Sequence, residues 1–425
     1  MRLMRCSGPT TQVSGSDMQC RHCHTALTEQ FVDLGTAPPS NAYLTSADLQ
    51  APEKYFPLRV WACTTCWLVQ TEDYARHDEL FAADYAYFSS YSESWLAHAR
   101  DYVAAVVERF GLASNSRVIE IAANDGYLLQ YVQARGIPCL GIEPTASTAA
   151  AARLRGIQVR EEFFGVALAR QLVAGQQTAD LMIANNVLAH VPDINDFVGG
   201  FALALKPEGV ATFEFPHLLR LVGQVQFDTI YHEHYSYLSL LAVERIFTRC
   251  GLEVFDVQEL STHGGSLRVY AQRADGVRRP PSAAVPAMFG RERAAGMAGV
   301  EFYRGFQGRV ARVRDDFLGF LIAARAGGKR IAAYGAAAKG NTLLNYAGVR
   351  ADAIEFVADR NPAKQQRFLP GSRIPVMAES QLRVARPDYV LILPWNLRAE
   401  LSVQLDYVRS WGARLVTAVP SLEVF

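Results

Sequence analysis

The run Val118-Ile119-Glu120-Ile121-Ala122-Ala123-Asn124-Asp125-Gly126 decides the fold of this 425-residue chain. β-Branched residues with one acid make a short strand, small and polar residues turn the chain, and a helical pattern follows from Leu128 to Ala134. Outward from this unit the alternation continues. Cys139–Glu143 reads as a second strand, Ala146–Arg155 as a second helix, and Leu181–Ala184 and Val210–Phe215 as further strands. Strands alternating with helices predict a doubly wound α/β sheet.

In such a sheet, ligands bind beyond the carboxyl ends of the strands. A loop of small residues at a helix entrance, here Ala122 to Gly126, lets a ligand approach backbone amides closely. Glu120, at its strand end, suits the charged methionine part of a cofactor, directly or through water. Glu143, followed by Pro144, ends the next strand, where an acid can accept both ribose hydroxyls. The GxGxxG loop that a dinucleotide's pyrophosphate requires is missing, which favours S-adenosylmethionine over NAD. Asn185 and Asn186 follow a later strand and join Ala122, Asn124, Asp125 and Gly126 as candidate cofactor residues, with His190 close behind.

Half of the residues are hydrophobic, and 42 basic side chains balance 42 acidic ones, which argues against a general nucleic-acid or membrane-surface binder. No apolar run approaches the ~20 residues that span a bilayer. Met1–Asp17 is polar, lacks the core of a secretory signal and reads as a flexible tail, so a cytoplasmic protein is expected. In a reducing compartment, two CxxC pairs point to metal rather than disulfides. Cys20-Arg21-His22-Cys23 and Cys63-Thr64-Thr65-Cys66 offer four thiolates to a closed, structural zinc site. His22 and His24 are alternative ligands, but four Cys is the simpler set.

The densest chemical cluster is Phe227-Asp228-Thr229-Ile230-Tyr231-His232-Glu233-His234-Tyr235-Ser236-Tyr237. A histidine beside an acid can serve as a general base near neutral pH, and a tyrosine hydroxyl can donate to a developing enolate oxygen. Metal ligation is the other reading of the histidines, although the spacing is not HExxH. Farther on, residues 275–287, rich in Arg, Pro and Ala, read as a linker, and Arg291–Ala326 as helical. A second α/β pattern follows, with strands at Arg330–Tyr334, Ile354–Val357, Tyr389–Leu393 and Leu415–Ala418. Its loop Tyr334-Gly335-Ala336-Ala337-Ala338-Lys339-Gly340-Asn341 can bind a nucleotide diphosphate through amides and Lys339, and Asp359 can accept a ribose hydroxyl.

With these motifs in hand, the chain from about Cys20 onward resembles the three-part, zinc-containing sugar C-methyltransferases that act on dTDP-linked 4-keto-deoxysugars. The resemblance rests on the double CxxC, Asp33-Leu34-Gly35 with Pro38 to Asn41, the Tyr85–Ser92 connector, Asn124-Asp125-Gly126, and Tyr231-His232-Glu233-His234. It continues through His263-Gly264-Gly265-Ser266-Leu267-Arg268, Tyr334-Gly335-Ala336, Lys339-Gly340-Asn341, Asp359, Pro370-Gly371 and Pro394-Trp395-Asn396.

The resemblance implies a central class I (Rossmann-like) methyltransferase domain, a small N-terminal zinc-binding β module and a C-terminal Rossmann-like α/β domain. The corresponding boundaries are a tail at 1–17, the zinc module at 18–75, the methyltransferase domain with its helical lead-in at 76–280, a helical linker at 281–325 and a sugar-nucleotide domain at 326–425. It implies that His234 removes the proton on C3 of a 4-keto-sugar, Glu233 orients or polarises the site, Tyr231 stabilises the enolate, and His190 stands nearby. Tyr85 and Tyr87 would cover the cofactor or sugar. His232, His263, Gly264, Gly265, Ser266, Arg268, Tyr334, Gly335, Ala336, Lys339, Asn341, Asp359, Trp395 and Asn396 become candidate substrate contacts.

The implied partner is a nucleotide-linked keto-sugar, with no nucleic acid and no membrane, in a chain compatible with a monomer. The alternatives are O- or N-methylation of a sugar nucleotide or related small molecule, or diverged chemistry in a family member that binds the cofactor. One departure from the family pattern stands out. Ala122-Ala123 occupies the place of a Gly and another small residue, which adds a Cβ near the cofactor.

Overall fold

Burial alternates along Phe56–Ala62 (β2), as in a sheet with one solvated face. This strand pairs antiparallel with Glu29–Ala37 (β1) and Val69–Thr71 (β3). The computed structural model describes residues 18–73 and 88–425, so the expected tail, Tyr85 and Tyr87 lie outside the described residues. One CxxC turn precedes β1, and the other connects β2 to β3.

Val118–Ile121 (β4) is buried at every position, as a strand covered on both faces must be. Around it stand Cys139–Ile142 (β5), Val159–Arg160 (β6), Ala179–Asn185 (β7) and Leu205–Pro216 (β8), all parallel. Ser236–Tyr237 (β9) leaves this domain and pairs with β3 of the zinc module. Leu252–Leu260 (β10) and Ser266–Arg273 (β11) complete a seven-stranded sheet of order β10-β11-β8-β7-β4-β5-β6, with β11 antiparallel to both neighbours. The strand order reverses between β4 and β7, which opens a crevice at their carboxyl ends.

The last sheet runs β14-β13-β12-β15-β16-β17. Its members are Ile331–Tyr334 (β12), Val357–Asp359 (β13), Val376–Ala378 (β14), Tyr389–Ile392 (β15), Arg414–Thr417 (β16) and Glu423–Val424 (β17), and only β17 is antiparallel. β13 begins at Val357 rather than Ile354, because the ladder to β14 starts only there. The 275–287 stretch is not a plain linker. A helix starts at Ala284 and runs to Ala294, its Val285 and Met288 buried in the core of the central domain. The helical stretch after it is broken, with Glu301–Arg304 separate from Phe306–Ala326.

The hydrophobic cores cross these boundaries. Phe31, Leu58 and Val60 of the zinc module, Phe227 and Ile230 of the histidine-rich segment, Phe306 and Phe317 of the long helix, and Leu344 and Val376 of the last domain form one cluster. Cys20, Cys63 and Cys66 belong to the core of the central sheet. No helix among the described residues is long and apolar enough to cross a membrane.

Candidate active site

The crevice at β4 and β7 opens into a cavity of about 600 Å³ whose wall includes Asn41 from the zinc module, and Ala337, Ala338, Lys339 and Lys364 from the last domain. Ala122 leaves β4 at φ 58° and Asn124 follows at φ 49°. Both line the cavity. Asparagine tolerates the left-handed region, but alanine occupies it at a cost. Ala123 points the other way: it is fully buried, and a Cβ on Gly141 would come within 2.8 Å of its own. The added bulk of the alanine pair therefore reaches the cavity at Ala122 alone.

The Glu143 carboxylate accepts from the backbone amides of Asn124 (2.9 Å) and Thr145 (2.9 Å) and lines the cavity beside Pro144. Each oxygen keeps a lone pair for a ribose hydroxyl. Asn185 and Asn186 lie opposite. Both polar atoms of the Asn186 amide and Oδ1 of Asn185 are buried without a partner among the described residues, as a polar ligand site requires. Glu120 lies beneath the loop, and its carboxyl is raised well above the usual range, first by burial and then by Glu143 and Asp125, against Tyr127. An ammonium group nearby would reverse that. Asp125 instead faces Arg155 at 3.2 Å and the Ser90 amide at 3.4 Å. These residues suit S-adenosylmethionine.

At the other end, His234 Nδ1 donates to the Thr229 carbonyl at 2.8 Å, which leaves Nε2 as the acceptor. Burial, His190 and Lys339 hold its pKa well below the ordinary value, so the ring is neutral. The Tyr231 and His190 rings lie 4.0 Å and 4.6 Å from it, centroid to centroid. Asn41 Nδ2 donates to both oxygens of Glu233, at 2.7 and 2.9 Å. Lys339 enters this end too. Its Nζ donates to Asn396 Oδ1 at 2.6 Å and stands 5.0 Å from the Trp395 ring. Burial lowers the Lys339 pKa, against the pull of Asp228. Asp228, hydrogen-bonded by the Trp395 indole at 2.7 Å, is pushed up to about 6 by burial. His263 lines the cavity against Trp95 and is pulled down to about 4 by burial and Lys339.

Other candidates lie elsewhere. His232 Nε2 faces the Phe56 and Pro57 carbonyls. Arg268 pairs with buried Glu214 at 2.6 Å, where it and His98 outweigh the effect of burial and lower that carboxyl's pKa. Charge neutralisation inside the sheet, not substrate contact, explains this arginine. Ser266 bonds the Thr262 carbonyl. Gly264 and Gly265, both at positive φ, make room for Trp395 and for Arg220. Gly335 packs on Pro394. Tyr334 bonds Glu379, Asp359 accepts the Ala336 amide at 2.7 Å, and Asn341 donates to the Ser40 carbonyl. Several wall residues carried no assigned role in the sequence: Asn41, Trp95, Phe164, Thr229 and Lys364. Asn41, inside the Pro38–Asn41 motif, and Thr229, inside the Phe227–Tyr237 cluster, had a local signal.

The four cysteine sulfurs lie within 4.8 Å of one another, with Cys20–Cys66 and Cys23–Cys63 at 3.5 Å. Tetrahedral zinc, with Zn–S near 2.3 Å, places sulfurs roughly 3.8 Å apart, so the set fits. His22 is not among them, its Nδ1 meeting Asn195 Oδ1 at 2.7 Å.

Three known families match the chain: "Putative zinc binding domain" over residues 20–81, "Methyltransferase domain" over 95–257 and "C-methyltransferase C-terminal domain" over 261–420. C-methyltransferase NovU of Streptomyces niveus is 34% identical over 408 residues, which is 96% of each chain. A ubiquinone biosynthesis O-methyltransferase of Bradyrhizobium sp. (strain ORS 278) is 26% identical over 149 residues, covering 30% of this chain and 59% of its own. Among solved structures, the magnesium protoporphyrin IX methyltransferase of Synechocystis PCC 6803 with bound SAM covers 43% of this chain and 82% of its own, at 15% identity and TM-score 0.33. With a C-methyltransferase matched over nearly its whole length, the chain belongs to the zinc-containing sugar C-methyltransferase family and is an S-adenosylmethionine-dependent C-methyltransferase with a structural zinc.

Proposed function

We propose that the enzyme methylates C3 of a nucleotide-linked 4-keto-deoxysugar through an enolate. The observation that carries this reading is His234: a buried, neutral imidazole, tied through Nδ1 to Thr229, on the wall of the cavity beside Tyr231. A ketone at C4 acidifies the C3 proton. Nε2 of His234 takes that proton, and the Tyr231 hydroxyl donates to the oxygen on which charge develops. S-adenosylmethionine, when bound, supplies an electrophilic methyl group to the carbanionic C3. Glu143, Asn185 and Asn186 hold the nucleoside end, and the three-part wall holds both reactants in attack geometry.

Two lysines of the last domain, Lys339 and Lys364, reach the cavity and match an anionic diphosphate. A zinc tetrathiolate suits a reducing compartment, so the cytoplasm is the proposed location.

The test uses a panel of nucleotide-linked 4-keto-6-deoxysugars in deuterated water. Deuterium should enter at C3 without cofactor, and S-adenosylmethionine should add one methylene to the product mass, at C3 by NMR. A methyl group on oxygen or nitrogen, with no exchange at carbon, would sink the proposal.

A further inference from the structure

We propose that Asn41 of the zinc module is a positioning residue that holds the Glu233 carboxylate ionised and aimed at the reaction centre. The inference rests on the reading above only in taking Glu233 as part of the catalytic cluster. Asn41 and Glu233 are 192 residues apart, yet both line the cavity, and Asn41 Nδ2 meets both carboxylate oxygens.

Glu233 is 2% exposed. A buried carboxylate needs donors, and an amide N–H can only donate. The bond therefore favours the acceptor-only, ionised form.

The backbone around Asn41 is fixed from several sides. Pro38 and Pro39 restrict the approach. The Ser40 carbonyl accepts from Asn341 Nδ2 at 2.6 Å. The Tyr43 hydroxyl donates to the Ala336 carbonyl at 2.5 Å, and Leu44 exchanges two backbone bonds with Phe368. The amide is thus presented by a strap clamped to the last domain, while Glu233 lies in a segment clamped to β3. Thr71 Oγ1 donates to the His234 carbonyl at 3.2 Å, and the Thr71 amide to the Tyr235 carbonyl at 3.1 Å. Tyr43 and Tyr235 lie within electrostatic reach of Glu233. Lys364 stands over the Tyr43 ring, and Tyr231, His232 and His234 share the segment.

The test compares the full-length enzyme with Asn41→Ala, Asn41→Asp, Asn41→Gln, Glu233→Gln and the Asn41→Ala/Glu233→Gln double variant. Infrared difference titration against Glu233→Gln follows the carboxyl of Glu233 without substrate. Its protonation midpoint should rise by about 1 pH unit in Asn41→Ala and further in Asn41→Asp, which sets a like charge against it. An unmoved midpoint in both overturns the proposal. In turnover, Asn41→Ala should lower kcat about 10–100-fold with KM for S-adenosylmethionine unchanged, and Asn41→Gln should recover part of it. In the Glu233→Gln background the same change should cost less than about 2-fold, because both residues act as one unit. Additive losses overturn it. A shifted midpoint in an enzyme that never methylates carbon would defeat the function proposed above and leave the clamp standing.

Discussion

His234 shows how little of a residue's role is set by its type. The same segment holds His232, equally close in sequence to Glu233, but its Nε2 faces backbone carbonyls outside the cavity. His234 instead has one nitrogen committed to a carbonyl and the other left to accept a proton. We expect His234→Asn to lower kcat by about 10²–10⁴-fold and leave S-adenosylmethionine affinity, measured by calorimetry, within about 2-fold. Loss of cofactor affinity in step with rate would place His234 in the cofactor site instead. Ala122 illustrates the opposite case, a residue of unremarkable chemistry in a costly conformation at φ 58°. Ala122→Gly should stabilise the protein by about 0.5–1 kcal/mol, the relief of the left-handed strain less the added chain entropy, as read from urea unfolding. A destabilised variant would show that the Cβ has packing partners worth more than the strain.

At the scale of elements, buried polar links decide how helices and strands meet. Glu292, fully buried, accepts from the backbone amides of Leu240 and Leu241 and pairs with His217 at 2.7 Å. It thereby caps the helix Leu240–Arg249 with a side chain from the helix Ala284–Ala294. Two amide donors and an imidazole would lose their acceptor in Glu292→Ala. The expected cost is about 3–5 kcal/mol in chemical denaturation, and a loss below about 1 kcal/mol would mean that water replaces the carboxylate. The pairing of β3 with β9 works in the same way. It carries the backbone that follows Cys66 directly to the backbone that follows His234. The zinc knuckle therefore bears on the register of the histidine-rich segment, and not only on the stability of its own module.

For the whole molecule, the consequence is a pH dependence to which histidines and carboxyls contribute with opposite signs. His234 and His232 have folded pKa values below the ordinary 6.5, and His263 falls to about 4, each chiefly through burial. A histidine depressed in the fold leaves stability intact above 6.5 and removes it as pH falls toward the folded value, because the unfolded chain takes the proton first. Asp228 has the opposite sign. Raised from 3.8 to about 6, it adds stability at low pH that is lost as pH rises through 6. Glu120, raised well above the usual range by burial, shares the sign of Asp228, so the histidine contribution is read by difference: relative to the parent, His263→Gln should lose less of its urea midpoint between pH 7 and pH 4. The same pH profile in His263→Gln as in the parent would contradict the burial of that ring. The three histidines lie in the one segment or the one cleft where the three parts of the chain meet.

The sequence by itself determined what depends on neighbours along the chain. The strand and turn from Val118 to Gly126, the acid at Glu143 and the two CxxC turns are local patterns, set by periodicity, small residues and tight turns, and the structure places each on the sheet edge or in the sulfur cluster described above. Even the helix at Ala284 was hidden only by its arginines and prolines. Tertiary structure alone decided which side chains share a cavity. Arg268 sits in a motif beside His263, but the alternation of β11 turns it into the sheet to meet Glu214, while His263 on the preceding turn lines the cavity. Asn41 reaches Glu233, and Trp395 reaches Asp228, across 192 and 167 residues. No periodicity encodes such pairs, because they arise where separately folded layers pack on shared cores.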